Sequence, residues 1–82
     1  MTQPIEIAIA SDQERDYLFA ELRVGGQPWG EIIFDRQKEA YILTIFSAEN
    51  DQWPQLDLAE VRRALLEAKT ALVDRGYPDL KI

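Results

Sequence analysis

LDLAEVRRALLEAKTALVDRGYP, residues 56–78, is a helix with both of its ends written out. Asp57 is a good N-cap, because its carboxylate can accept from first-turn amides that have no partner within the helix. Glu60, three residues on, is spaced to reach back and complete a capping box, and Leu56 and Val61 are placed as a hydrophobic staple. At the far end Gly76 can take the left-handed conformation that stops a helix, and Pro78 prevents it from resuming. Tyr77 is then positioned to fold back on Leu72. Between the caps Leu58, Val61, Leu65, Ala68 and Leu72 recur at spacings of three and four, with Ala64 and Ala71 beside them. One apolar stripe of this kind needs a sheet or another helix to cover it.

The residues before the helix supply a sheet. Ile5, Ile7 and Ile9 alternate with Glu6, Ala8 and Ala10, a short strand of period two. A polar loop, residues 11–16, leads to a second strand over 17–24. Gly25-Gly26-Gln27-Pro28 then forms a turn, followed by strands over 29–35 and 40–46 joined through Arg36-Gln37-Lys38-Glu39. The expected fold is α+β: an antiparallel meander of three to four strands with one C-terminal helix packed on one face, in a single domain spanning residues 1–82.

Turn length decides which side chains share a face. A two-residue turn at Gly25-Gly26 would set Leu22 opposite Trp29 and leave charges on both faces. A three-residue turn with one left-handed glycine and a bulge pairs Leu22 with Gly30 and Ala20 with Ile32, and sends Glu21, Arg23, Glu31 and Asp35 the other way. Sorting charge onto one face is what specifies register, so the odd turn is expected. A four-residue turn at Arg36–Glu39 continues the pattern by pairing Phe34 with Tyr41 and Ile32 with Leu43. The face beneath the helix becomes Leu18, Leu22, Val24, Ile32, Phe34, Tyr41, Leu43 and Ile45. Trp53 is expected to lid one end of that core.

The chain has 82 residues, no cysteine and no histidine. A domain of this size hides only about 60% of its unfolded surface, so its own core yields thin stability. Disulfides and histidine-bound metals are removed as supports by the inventory, which favours a partner or self-association. Without His or Cys there is no ordinary catalytic triad, no imidazole base and no thiolate nucleophile. Glu21 and Glu31, set opposite each other, form a carboxylate pair that Arg23 is placed to neutralise. Glu49, Asp51 and Asp57 offer oxygen ligands, but their spacing matches no EF-hand and Asp57 is better used as a cap. No catalytic residue, cofactor or metal site is therefore expected, and the chain is read as a non-enzyme.

The net charge of -6 is unevenly placed: residues 1–57 carry -7 and residues 58–82 carry +1. No basic patch exists to displace counterions from phosphates, which argues against direct nucleic-acid binding. Nothing at the N-terminus resembles a signal peptide and no window has the length of a membrane span, so a cytoplasmic location is expected.

The face turned away from the helix is the informative one. Tyr17, Phe19, Trp29, Ile33, Ile42 and Phe46 fall there among Glu21, Arg23, Glu31 and Thr44, which is too apolar for an ordinary solvated surface. Phe19, Glu21, Trp29, Glu31, Ile33 and Phe46 are the expected partner-binding residues, with aromatic anchors at the centre and carboxylates at the rim. The occupant is a protein partner, basic in character, or a second copy of the chain. As a topology alone, strands followed by one helix resemble small bacterial antitoxin, immunity and inhibitor proteins. That resemblance implies a non-catalytic interaction domain. The alternative is a homodimeric structural or accessory subunit whose open sheet face is the self-association surface.

Overall fold

The computed structural model describes residues 4–11, 14, 16–48, 53 and 55–82. Four strands, β1 (Ile5–Ser11), β2 (Leu18–Val24), β3 (Gln27–Asp35) and β4 (Ala40–Ile45), precede one helix, α1 (Leu58–Val73). The strands form an antiparallel sheet in the order β1-β2-β3-β4, so β1 and β4 are its edges. This is the expected α+β meander with a C-terminal helix.

Register follows the expected parity but by a different route. Gly25 and Gly26 are the two loop residues of a tight hairpin, with Val24 opposite Gln27. Both glycines have positive φ, 58° and 80°, as the two-residue hairpin turn that suits strand twist requires. The irregularity sits further on: Arg23 pairs with Pro28 and Leu22 with Gly30, so Trp29 is the extra residue of a β-bulge. Alternation counted from the turn points Gln27 and Trp29 toward the helix side; alternation counted back from Ile32 points Gly30 the same way. Two consecutive inward positions meet at the bulge, and one of them carries no side chain. A Cβ built on Gly30 would lie 2.6 Å from the Thr44 carbonyl oxygen, so only glycine fits there.

At the next turn Asp35 pairs with Ala40, Phe34 with Tyr41 and Ile32 with Leu43, as the four-residue turn requires. The Asp35 Oδ1 accepts from the Gln37 and Lys38 amides at 2.9 and 3.2 Å, and Glu39 adopts a φ of 51° to close the loop.

The helix is capped largely as expected. Asp57 Oδ1 accepts from the Ala59 amide at 2.9 Å. Gly76 has φ 102°, and the Gly76 and Tyr77 amides donate to the Val73 and Leu72 carbonyls at 3.0 and 3.2 Å, the bond pair of a Schellman terminus. Glu60 does not complete the capping box. Its carboxylate accepts instead from the amide of Ile5, the first residue of β1, at 2.8 Å. Arg63 closes the loop: it pairs with Glu60 at 2.8 Å and donates to the Ile5 carbonyl at 2.9 Å. A donor and an acceptor on the edge strand are thereby satisfied by helix side chains.

Ala64, Ala68 and Leu72 are fully buried along the centre of the helix face, packed with Ile5, Ala20, Leu22, Val24, Trp29 and Ile32. Two alanines let the helix sit close to the sheet, and it rests on β1 and β2. Two expectations fail here. Leu58 is 81% exposed rather than part of the stripe, and Leu43 and Ile45 on the helix side of β4 are 39% and 56% exposed. The helix contacts β1 and β2 most and covers the β4 side only in part, through Leu65 and Lys69 beside Tyr41 and Leu43. Trp53 packs against the core as expected, and its Nε1 donates to the Phe46 carbonyl at 2.9 Å.

The Glu60 carboxyl is held well below the ordinary carboxylate range, down to about 2, first by its hydrogen bond from Arg63 and then by that from Ile5. A depressed folded-state pKa stabilises the fold fully above the unfolded value and loses that contribution as pH falls toward the folded one. Glu60→Gln should therefore lower the melting temperature at neutral pH and flatten its acid decline between about 4.5 and 2. Parallel acid limbs for the two proteins would show that the clamp does not operate in solution.

Gly30→Ala should cost about 1–3 kcal/mol, since a strand must move to admit the Cβ. Gly76→Ala, with open space around it, should cost about 1–2 kcal/mol from backbone conformation alone. Urea midpoints for both variants check the pair.

Candidate interaction surface

The outer face of the sheet carries no secondary-structure element among the described residues, since α1 packs on the other side. Its side chains are arranged in rows that cross the strands. Ala10 pairs with Phe19 and Ile33 with Ile42. The β2–β3 register, continued one step past Ala20 and Ile32, brings Phe19 beside Ile33. An apolar row thus runs over all four strands, from Ala10 through Phe19 and Ile33 to Ile42. All four are half-buried.

The next row is polar. Ala8 pairs with Glu21, Glu21 with Glu31, and Glu31 with Thr44. Like charges directly opposite each other on a sheet are destabilising, and Arg23 relieves the pair as expected: its Nη1 lies 2.5 Å from Glu21 Oε1. Arg23 is itself oriented by the hairpin, because its Nη2 donates to the Gly26 carbonyl at 2.6 Å. Glu6 and Asp35 lie on this face as well, by alternation from Ile5 and Phe34, so its carboxylates outnumber its one guanidinium.

Of the six residues expected to bind a partner, four lie on this face by register: Phe19, Glu21, Glu31 and Ile33. Phe46 stands apart from the row, beside Pro28, Ser47 and Trp53 at the hairpin end of β3. Trp29 does not belong with them. It is 7% exposed and part of the core, because the bulge turns it inward. Ile42 is expected on this face from the sequence without counting among the six, and Ala10 is the member of the row that the sequence does not assign there.

Other places offer less chemistry. A cleft of about 580 Å³ opens between the helix C-terminus and the β3–β4 turn, with Arg36, Arg75 and Glu39 at its rim and Phe34 and Tyr77 in its wall. Arg75 already donates to the Ala71 carbonyl at 2.8 Å, and the negative end of the helix dipole faces the same space, which disfavours an anion. The Tyr41 phenol beside it is pushed up by burial, then by the Asp79 and Tyr77 charges, and donates to the Pro78 carbonyl at 2.6 Å. Of the oxygen ligands considered for a cation, Glu49 and Asp51 lie outside the described residues, and Asp57 serves as the helix cap. No group of three acidic side chains suited to a metal occurs among the described residues. No helix among them is long and apolar enough to cross a membrane.

Comparison with protein-family models, with curated proteins and with solved structures finds no match for the chain. The fold and the surface therefore carry the functional argument.

Because Trp29 is core, Trp29→Ala should destabilise the isolated chain by about 3–5 kcal/mol. Thermal and urea unfolding of the variant check this; a folded variant of unchanged stability would return Trp29 to the surface.

Proposed function

We propose that the chain is a small non-catalytic protein-interaction domain, of the kind found among antitoxin, immunity and inhibitor proteins, that binds a protein partner through its outer sheet face. The observation that carries this reading is the apolar row Ala10, Phe19, Ile33 and Ile42 bordered by Glu21 and Glu31. A row of this shape fits an amphipathic segment laid across the strands. Its apolar side would meet the row and its Lys or Arg side chains the neighbouring carboxylates. Apolar contacts at the centre supply most of the affinity of such surfaces, while rim charges chiefly set association rate and partner choice. The inventory supports the absence of catalysis: a chain without His or Cys lacks the usual nucleophiles and bases that work at neutral pH.

Two synthetic helical peptides of equal apolar content, one rich in Lys and Leu and one in Glu and Leu, test the chemistry. The basic peptide should shift the amide resonances of residues 10, 19, 33 and 42, and the acidic one should not. Ile33→Ala should weaken that binding by about 2 kcal/mol, and Glu31→Lys should slow association in a salt-dependent manner. Shifts confined to the helix, or equal binding of the acidic peptide, would overturn the reading.

A further inference from the structure

The two edges of the sheet are finished differently. β1 begins after Pro4, carries Glu6, and has both backbone groups of its first residue held by Glu60 and Arg63. These are the devices by which proteins keep an edge from recruiting another strand. β4 has none of them. From Ala40 to Phe46 it contains no charge, proline or glycine, and among the described residues no strand pairs with its outer side.

The backbone of β4 has a defined polarity across the strand. The Phe46 amide donates to the Trp29 carbonyl at 2.9 Å, and the Thr44 carbonyl is directed at Gly30 of β3. Hydrogen-bonded and non-hydrogen-bonded positions alternate in an antiparallel ladder. Ala40, Ile42, Thr44 and Phe46 therefore bond toward β3, and Tyr41, Leu43 and Ile45 present their N–H and C=O groups to the open edge. The same three residues send their side chains to the helix side of the sheet, where Leu43 and Ile45 remain 39% and 56% exposed. Ile82, 60% exposed, lies beside Leu43 and Leu65.

We propose that the chain pairs with a second copy of itself along β4, antiparallel, about a two-fold axis through Leu43. In that register Leu43 faces Leu43 of the second copy, and Tyr41 faces Ile45 in both directions. These are the residues whose backbone groups point outward, so each finds its bonding partner in its symmetry mate. A two-fold contact must be self-complementary, and β4 meets that condition in backbone polarity and in charge. Two chains of net charge -6 repel each other at a distance, but no charge from residues 40–46 is brought opposite another. The contact covers Leu43 and Ile45 and removes the uncapped edge, giving one continuous eight-stranded sheet. An interface of one strand and its flanking side chains belongs with the small ones, under about 1,200 Å² in total, so the dimer should dissociate on dilution. The outer face stays open in the dimer, so the inference stands apart from which partner that face takes.

Sedimentation equilibrium of the full chain over a range of concentrations should show a monomer–dimer equilibrium. Hydrogen exchange at the Tyr41, Leu43 and Ile45 amides should slow as concentration rises, with the β1 edge unchanged. Leu43→Lys and Leu43→Glu each set like charges against each other on the axis, and each should weaken dimerisation about tenfold or more. An equimolar mixture of the two variants sets opposite charges there and should restore the dimer. Circular dichroism confirms that each variant is folded; if either is not, the exchange measurement on the unaltered chain decides. A monomer at every concentration, exchange at residues 41, 43 and 45 that ignores concentration, a dimer untouched by both substitutions, or failure of the mixture to pair would each overturn the proposal.

Discussion

The extra residue at Trp29 is the constraint on which the arrangement of the sheet depends. The Gly25-Gly26 hairpin starts β3 in a register that, left alone, would put Leu22 opposite Trp29 and scatter charges over both faces. One inserted residue shifts the strand by a single position, and a single position exchanges the faces of every residue beyond it. After the bulge Glu31 and Asp35 lie away from the helix while Ile32 is buried beneath it. The insertion also brings a tryptophan into the core of a domain too small to forgo one. Its cost falls on Gly30, which must lack a side chain because the Thr44 carbonyl occupies the space a Cβ would need.

The helix answers to a second constraint, the closeness that Ala64 and Ala68 allow. Small residues at the centre of a helix face bring its axis near the sheet, but they extend little lateral reach. Glu60 and Arg63 then draw its first turns to the start of β1, and the Tyr77 hydroxyl accepts from the Leu18 amide at 3.0 Å near its other end. These contacts hold the helix over β1 and β2. On β4, Tyr41 is covered in part through Phe34 and Pro78 and Leu43 lies beside Leu65 and Ile82, while Ile45 stays 56% exposed.

Element type and order were legible in the sequence because each signal is local. Asp57, Gly76 and Pro78 bound the helix, Gly25-Gly26 marks a hairpin, and period-two alternation in β1 needs no knowledge of the rest. The pairing through Arg36–Glu39 was legible for the same reason. The side of the sheet taken by Trp29 was not, because a bulge and a longer turn give the same pairing downstream and differ only at the residues between. Glu60 was legible as a helix-start residue but not as a clamp on Ile5, a partner 55 positions away that no spacing rule reaches. The extent of helix cover was hidden too. A stripe such as Leu58, Val61 and Leu65 states that a face is apolar, not which strands lie under it. Four of the six expected surface residues do share the outer face, since charge sorting alone assigns Glu21 and Glu31, and alternation carries Phe19 and Ile33 with them, whereas Phe46 lies past the end of β4.

Sorting charge to one face has a consequence for where this chain can interact. With Glu21, Glu31 and Asp35 outward and a neutral inner face, the outer surface has an electrostatic preference and the exposed part of the inner surface has none. On the functions proposed for them, a neutral strand edge would discriminate only through backbone register and shape, and a carboxylate-bordered apolar row would disfavour acidic partners. Both surfaces arise from the same meander. Its bulge fixes the charge pattern, and the short reach of its helix leaves Leu43 and Ile45 partly exposed. Leu22 and Leu72 are the largest fully buried side chains among the described residues, so either proposed contact would bury apolar area that the isolated core does not, and would raise stability by mass action.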